Sequence, residues 1–169
     1  MSTLQANTWT TSNLYGGDIT AGAPIKITQV TVPYSAASGY SGGYQTFESA
    51  TTGNTNQLYS FTYTPVCNSS YIHYLAFLEM DRNNNTGPEV LYVFINNVAY
   101  SNSYSYPRNS GNEPWQMRGQ SGIYTNTDGS TLTFSLRARN SSGWTNSIGL
   151  TNTPNQIMTN TIQIFEVQR

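Results

Sequence analysis

An all-β chain folded as a two-sheet antiparallel β-sandwich is what this sequence predicts, and three observations carry that expectation. Short runs of β-branched and aromatic residues recur along the chain, separated by clusters of Gly, Asn, Asp and Ser. No segment shows the 3.6-residue apolar period of an amphipathic helix. Several runs alternate apolar and polar residues with period two, as half-buried strands do.

The firm strands are expected at residues 25–32, 57–64, 71–80, 90–96, 131–140 and 161–167, with weaker ones at 44–49 and 116–124. Six firm strands and two weak ones fit a sandwich. Residues 1–24, with Trp9, Leu14 and Ile19 among polar residues and Gly16-Gly17, read as an N-terminal arm or lead-in segment, leaving 25–169 as the sandwich domain. Asp128-Gly129 is the strongest hairpin signal, because both residue types tolerate the backbone of a tight turn. In residues 131–139, Leu132, Phe134, Leu136 and Ala138 alternate with Thr133, Ser135, Arg137 and Arg139, which predicts one buried and one wet face.

Two strands break that rule. Residues 71–80 place Ile72, Tyr74, Ala76, Leu78 and Met80 on one face and Tyr71, His73, Leu75 and Phe77 on the other, and 91–95 is apolar throughout. Both strands ask for cover on both sides. A sandwich covers one side and the sequence offers no amphipathic helix for the other, so a neighbouring subunit is expected there. At roughly 25 cal/mol per Å² of apolar surface, a wet face of three or four large side chains forgoes several kcal/mol.

Composition narrows the function classes. Of 169 residues, 37% are hydrophobic and 13% aromatic but only 9% charged, with net charge −1 and 13 tyrosines, so there is apolar area to bury and disorder is not expected. The seven basic residues are scattered, and nucleic-acid binding needs them clustered. There is no long apolar run and no basic, then apolar, leader after Met1, so neither membrane insertion nor secretion is expected. Cys67 is the only cysteine, which excludes an internal disulfide and a multi-thiolate metal site; it reads as a small buried hydrophobe.

Catalytic constellations are hard to assemble, and the chain is expected not to be an enzyme and to hold no cofactor or metal. His73 is the only histidine and falls within an apolar strand, where a core or interface role outweighs a catalytic one. No nucleophile elbow, phosphate loop or dinucleotide fingerprint appears. Glu79 and Asp81, two apart near Arg82, read as a solvated turn with local charge balance rather than a glycosidase pair or a cation loop with Asn83-Asn-Asn85.

The stretch Tyr100-Ser-Asn-Ser-Tyr-Ser-Tyr106, with Arg108 and Trp115 after it, is the candidate ligand-binding segment. Tyrosines spaced by Ser and Asn present large amphipathic area at low entropic cost, as antibody loops do. Tyr40 and Tyr44, set among Ser and Gly, form a second segment of the same kind. Aromatic faces stack on sugar C–H groups while Asn and Gln meet hydroxyls, so glycans are the ligand class such a surface suits.

The order of motifs carries a resemblance. Met1-Ser-Thr-Leu-Gln-Ala-Asn-Thr is similar to a lead-in of phage structural proteins. Gly22-Ala-Pro-Ile-Lys-Ile-Thr-Gln-Val and Phe61-Thr-Tyr-Thr-Pro-Val-Cys-Asn-Ser-Ser-Tyr-Ile-His-Tyr resemble the strand, Thr-Pro, Ser-rich turn, strand order of virion fibre domains. Leu136-Arg-Ala-Arg-Asn-Ser-Ser-Gly-Trp144 and the closing Thr159-Asn-Thr-Ile-Gln-Ile-Phe-Glu-Val resemble their last loop and strand. The resemblance implies a homotrimeric jelly roll, of the complement-globular-head and tumour-necrosis-factor shape, on a phage or other viral particle. It implies a fibre tip or a capsid or tail surface decoration made in the host cytoplasm, with other virion proteins and a host cell-surface glycan or protein as partners. The rival expectations are a purely structural cement protein and a stand-alone carbohydrate-binding module or small glycoside hydrolase. Residues 83–115 depart from the shared pattern, so no ligand identity comes with it.

Overall fold

The computed structural model describes residues 24–33, 35–38, 50–82, 89–105, 116–140, 145–148 and 160–169. The described residues form ten strands: β1 Pro24–Thr31, β2 Ser35–Ser38, β3 Asn56–Tyr63, β4 Ser70–Arg82, β5 Glu89–Ile95, β6 Val98–Ser105, β7 Gln116–Asn126, β8 Leu132–Asn140, β9 Thr145–Ile148 and β10 Thr161–Gln168. A 3-10 turn, Thr52–Asn54, precedes β3.

They form a two-sheet antiparallel β-sandwich. One sheet has six strands in the order β1-β10-β4-β9-β2, with β7 on the other side of β4. The long strand β4 makes this possible: Ser70 to Phe77 pair with β10, and Met80 to Arg82 pair with β9. The second sheet runs β3-β8-β5-β6. Apart from the short β2 and β9, consecutive strands alternate between the sheets, and only β5 and β6 are neighbours in both sequence and sheet.

Period-two patterning builds the core. Ile72, Tyr74, Ala76 and Leu78 of β4, Ile162 and Ile164 of β10, and Leu132, Phe134, Leu136 and Ala138 of β8 all point between the sheets and are buried. Phe134 anchors the middle, stacked on Phe61 at 5.2 Å between ring centroids and meeting Tyr74 edge-on at 5.9 Å.

Four expectations change. The β5–β6 connection is the tight hairpin, made by Asn96 and Asn97 with φ of 50° and 67°, the left-handed region in which Asn is among the better tolerated residues. Asp128-Gly129 instead carries the chain from β7 in one sheet to β8 in the other. Its turn is held by Gly129 N–H donating to Asn126 Oδ1 and Ser130 N–H donating to Asp128 Oδ1, and the latter bond holds the exposed Asp128 carboxyl below its usual range. The same side-chain chemistry serves a hairpin and a crossover equally well.

The outer face of β8 is the second change. Ser135, Arg137 and Arg139 are buried rather than wet. Arg137 donates from Nε to Thr55 Oγ1, from Nη1 to Gln57 Oε1, and from Nη2 to the carbonyls of Thr52 and Thr55, while its guanidinium lies 5.7 Å from the Phe94 ring centroid. Residues 52–55 are thus tied across that face. Third, β5 is covered within the chain: Leu91, Val93 and Ile95 enter the main core, and Val90, Tyr92 and Phe94 pack with Ala50 and Ala99 on the other side. No neighbouring subunit is needed to bury this strand. Fourth, Glu79 and Asp81 lie inside β4, with Asp81 opposite Ser147 of β9, and not in a turn. The Asn83-Asn-Asn85 loop, the weak strand 44–49 and the arm 1–23 fall outside the described residues.

Candidate assembly face

The outer face of the six-stranded sheet is where the apolar residues left over by the core collect. On β4 the alternation that buries Ile72 and Tyr74 turns Tyr71, His73, Leu75 and Phe77 outward. On β10 it turns out Gln163, Phe165 and Val167. Strand pairing then aligns these side chains. Ile27 of β1 lies opposite Phe165, Phe165 opposite His73, and His73 opposite Ile123 of β7, so a single row crosses four strands as Ile27, Phe165, His73, Ile123. The next row along is Gln29, Gln163, Leu75, Ser121, and the one after is Thr31, Thr161, Phe77, Gly119.

Exposure singles out the ends of this face. Ile27 is 65% exposed, Ile123 55% and Phe77 42%, although β-branched and aromatic residues of this size are usually covered. Between them lie Phe165, His73 and Leu75, together with the polar Gln29, Gln163, Ser121 and Thr161. Arg169, whose guanidinium lies 5.8 Å from the Tyr71 ring centroid, is the charged side chain at its margin among those described. The prediction that β4 is apolar on two sides therefore holds, and His73 sits half-buried on the outer face rather than in the core.

Of the residues expected to bind a ligand, Tyr100 and Tyr104 fall within the described residues. Tyr100 belongs to strand β6 and not to a loop; it is 36% exposed and its ring lies 5.4 Å from that of Tyr124 on β7. Burial, with Tyr124 nearby, raises the Tyr100 hydroxyl above the usual phenol range. Tyr104 also lies on β6, opposite Val90. Tyr40, Tyr44, Tyr106, Arg108 and Trp115 lie outside the described residues. Among those described, no group of three or more His, Cys, Asp or Glu side chains comes together, and no helix is long and apolar enough to cross a membrane.

One polar centre escaped the sequence reading. Glu166 of β10 is fully buried, and its two oxygens accept from Tyr63 Oη at 2.8 Å, Val66 N–H at 2.8 and 3.0 Å, Cys67 N–H at 3.0 Å and Ser70 Oγ at 2.9 Å. Asn126 extends the network by donating to Ser70 Oγ and to the Cys67 carbonyl. Burial, then the hydrogen bond to Glu166 and the charge of that carboxylate, push the Tyr63 hydroxyl far above the usual phenol range. Cys67 is half-buried in this connection, less covered than expected. The signal was available: Glu166 shares the inward parity of Ile162 and Ile164.

No protein-family model and no curated protein sequence matches the chain. Among solved structures it is similar to dimeric latent PorU from Porphyromonas gingivalis, with 10% identity and a TM-score of 0.41 over 90% of this chain and 14% of that one. It is also similar to a chain in the structure of the infectious bursal disease virus Gx strain, with 8% identity and a TM-score of 0.41 over 88% of this chain and 38% of that one. The chain thus spans well under half the length of either, and at this level of similarity neither bears on what it does.

Proposed function

We propose that this chain is a non-enzymatic jelly-roll building block of a phage or other viral particle, assembling as a homotrimer through the outer face of its six-stranded sheet. The observation that carries the assembly is the row Ile27, Phe165, His73, Ile123, which places two isoleucines more than half exposed on a face otherwise fit for burial. Covering each exposed isoleucine or Phe77 is worth about 1 kcal/mol per chain, since full burial of such a side chain is worth roughly 1.5–3 kcal/mol. A second copy is the occupant the chemistry favours. The described side chains on the face carry no acid to attract a basic partner and only Arg169 at the rim to attract an acidic one, so a copy of the same neutral surface meets it with little repulsion.

The jelly-roll reading is supported by strand order: β1-β10-β4-β7 facing β3-β8-β5-β6 is two interlocked Greek keys, with β2 and β9 as additions. That architecture hosts many functions. Placement on a virion rests on the sequence resemblance of the lead-in, the Thr-Pro segment and the final strand to fibre domains. Host-glycan attachment through Tyr100, Tyr104 and Tyr106 belongs to the same proposal, and Tyr104→Ala with Tyr106→Ala is expected to reduce binding to host cells at least about tenfold, the loss of one or two aromatic contacts. Unchanged cell binding by the double variant removes that site.

Light scattering at micromolar concentration tests the assembly. The expected mass is three times 18.7 kDa. Ile27→Asp with Ile123→Asp is expected to give a folded monomer, since both side chains already face water in the single chain and the fold does not depend on them. A monodisperse wild-type monomer sinks the proposal.

A further inference from the structure

We infer that assembly through this face is acid-labile and that His73 is the residue that makes it so. The inference rests on the face being the self-association surface argued above. His73 is the third member of the apolar row, with Phe165 on one side and Ile123 on the other. Tyr71 and Leu75 flank it on its own strand, Gln163 and Val167 lie diagonally on β10, and Ser121 and Thr125 lie diagonally on β7.

Among the described side chains, none on this face is an anion placed to receive an imidazolium. Glu166 follows Phe165 in sequence but turns into the sandwich, where Tyr63, Val66, Cys67 and Ser70 occupy both oxygens. Lys26, opposite Glu166 on β1, has its ammonium 4.5 Å from the Tyr63 ring centroid and donates to the Thr64 carbonyl. Glu79 and Asp81 fall six and eight residues further along β4, about 20 Å or more away at roughly 3.3 Å per residue. That exceeds the screening length of about 8 Å at physiological salt. On the outer face itself the described charged side chain is Arg169, over the Tyr71 ring, and it has the same sign as a protonated histidine.

Covering the face with another copy costs a neutral imidazole little. A protonated one gives up its hydration, gains no counter-ion from the described side chains of the face and meets one like charge from every copy brought in by symmetry. Protons therefore bind more readily to the separated chains than to the assembly, and lowering pH drives dissociation. Imidazoles are the side chains that ordinarily change charge between pH 5 and 8.

The experiment is the mass of the full chain at micromolar concentration at pH 7.5 and pH 5.0, at constant ionic strength, with far-ultraviolet circular dichroism checking the fold at both. Wild type is expected to be assembled at pH 7.5 and to dissociate at pH 5.0, with association weakened at least about tenfold per chain. His73→Gln is expected to stay assembled at both pH values, and His73→Phe gives a second neutral reading should Gln itself loosen the face. Equal assembly of wild type at both pH values, or dissociation of both neutral variants alongside it, overturns the inference and leaves the face intact. A wild-type monomer already present at pH 7.5 overturns the face and the inference together.

Discussion

Replacing Glu166 by Ala is expected to cost about 4–5 kcal/mol of stability, enough to unfold a large share of the chain at physiological temperature. The reason is the direction of its hydrogen bonds. Tyr63 Oη, Val66 N–H, Cys67 N–H and Ser70 Oγ all donate to the carboxylate, so the side chain only accepts. Removing it strands two buried hydroxyls and two part-buried backbone donors, and each unmet buried group costs about 1–3 kcal/mol. Glu166→Gln separates charge and geometry from simple volume. Its amide oxygen can serve Val66, Cys67 and Ser70, and the Tyr63 hydroxyl can turn to accept from the amide nitrogen, which still sets an N–H against the Val66 N–H. The expected loss is about 2–3 kcal/mol. Tyr63→Phe removes one donor and leaves the acceptor otherwise served, for a loss of about 1 kcal/mol. Chemical denaturation of the three variants should rank them in that order. Glu166→Gln matching wild type would show that the network does not hold the 64–69 connection in place.

This centre also shows where the sequence was legible and where it was not. The alternation in residues 131–139 and 161–167 located β8 and β10 and their inward residues, because apolar burial at period two is a local signal. That rule treated charge as a mark of exposure, and so passed over Glu166 at an inward position and Arg137 at an outward one. Both are buried because of partners far away in the chain: residues 63–70 for Glu166 and 52–57 for Arg137. Neither partner can be read from a window around the charge. β6 was missed for the opposite reason. Its Ser-Asn-Ser interior lacks β-type residues, and it forms because Asn96-Asn97 folds it back onto β5, with a bulge near Phe94 that sends Tyr100 toward Tyr124. The tyrosine spacing that resembled a binding loop is therefore compatible with an edge strand as well, and spacing alone could not tell them apart. What survived unchanged is the two-sided character of β4, since it depends only on which residues share parity within one strand.

Gly122 offers a test of the core that carries its own control. It lies on β7 directly opposite Tyr74 of β4, and the Tyr74 ring occupies the space where a side chain would be. A Cβ there would collide with the Tyr74 hydroxyl and come within 2.5 Å of Cζ and 2.7 Å of Cε1. Escape is blocked, because Tyr74 is 2% exposed and its ring packs edge-on against Phe134. Gly122→Ala must therefore displace core aromatics or part β7 from β4, and such overpacking costs about 2–3 kcal/mol. A loss of that size lowers the melting temperature of a chain of this length by about 5–10 °C. Gly119 sits three residues away on the same strand, facing outward, and a Cβ there meets nothing within 4 Å. Gly119→Ala is expected to be neutral or to stabilise by a few tenths of a kcal/mol, since alanine loses less backbone entropy on folding. Tyr74→Phe in the Gly122→Ala background should recover part of the loss by removing the closest atom. Equal melting temperatures for the two alanine variants would mean that Tyr74 does not fill the space over Gly122, and with it the inward placement of β7 against β4 would fail.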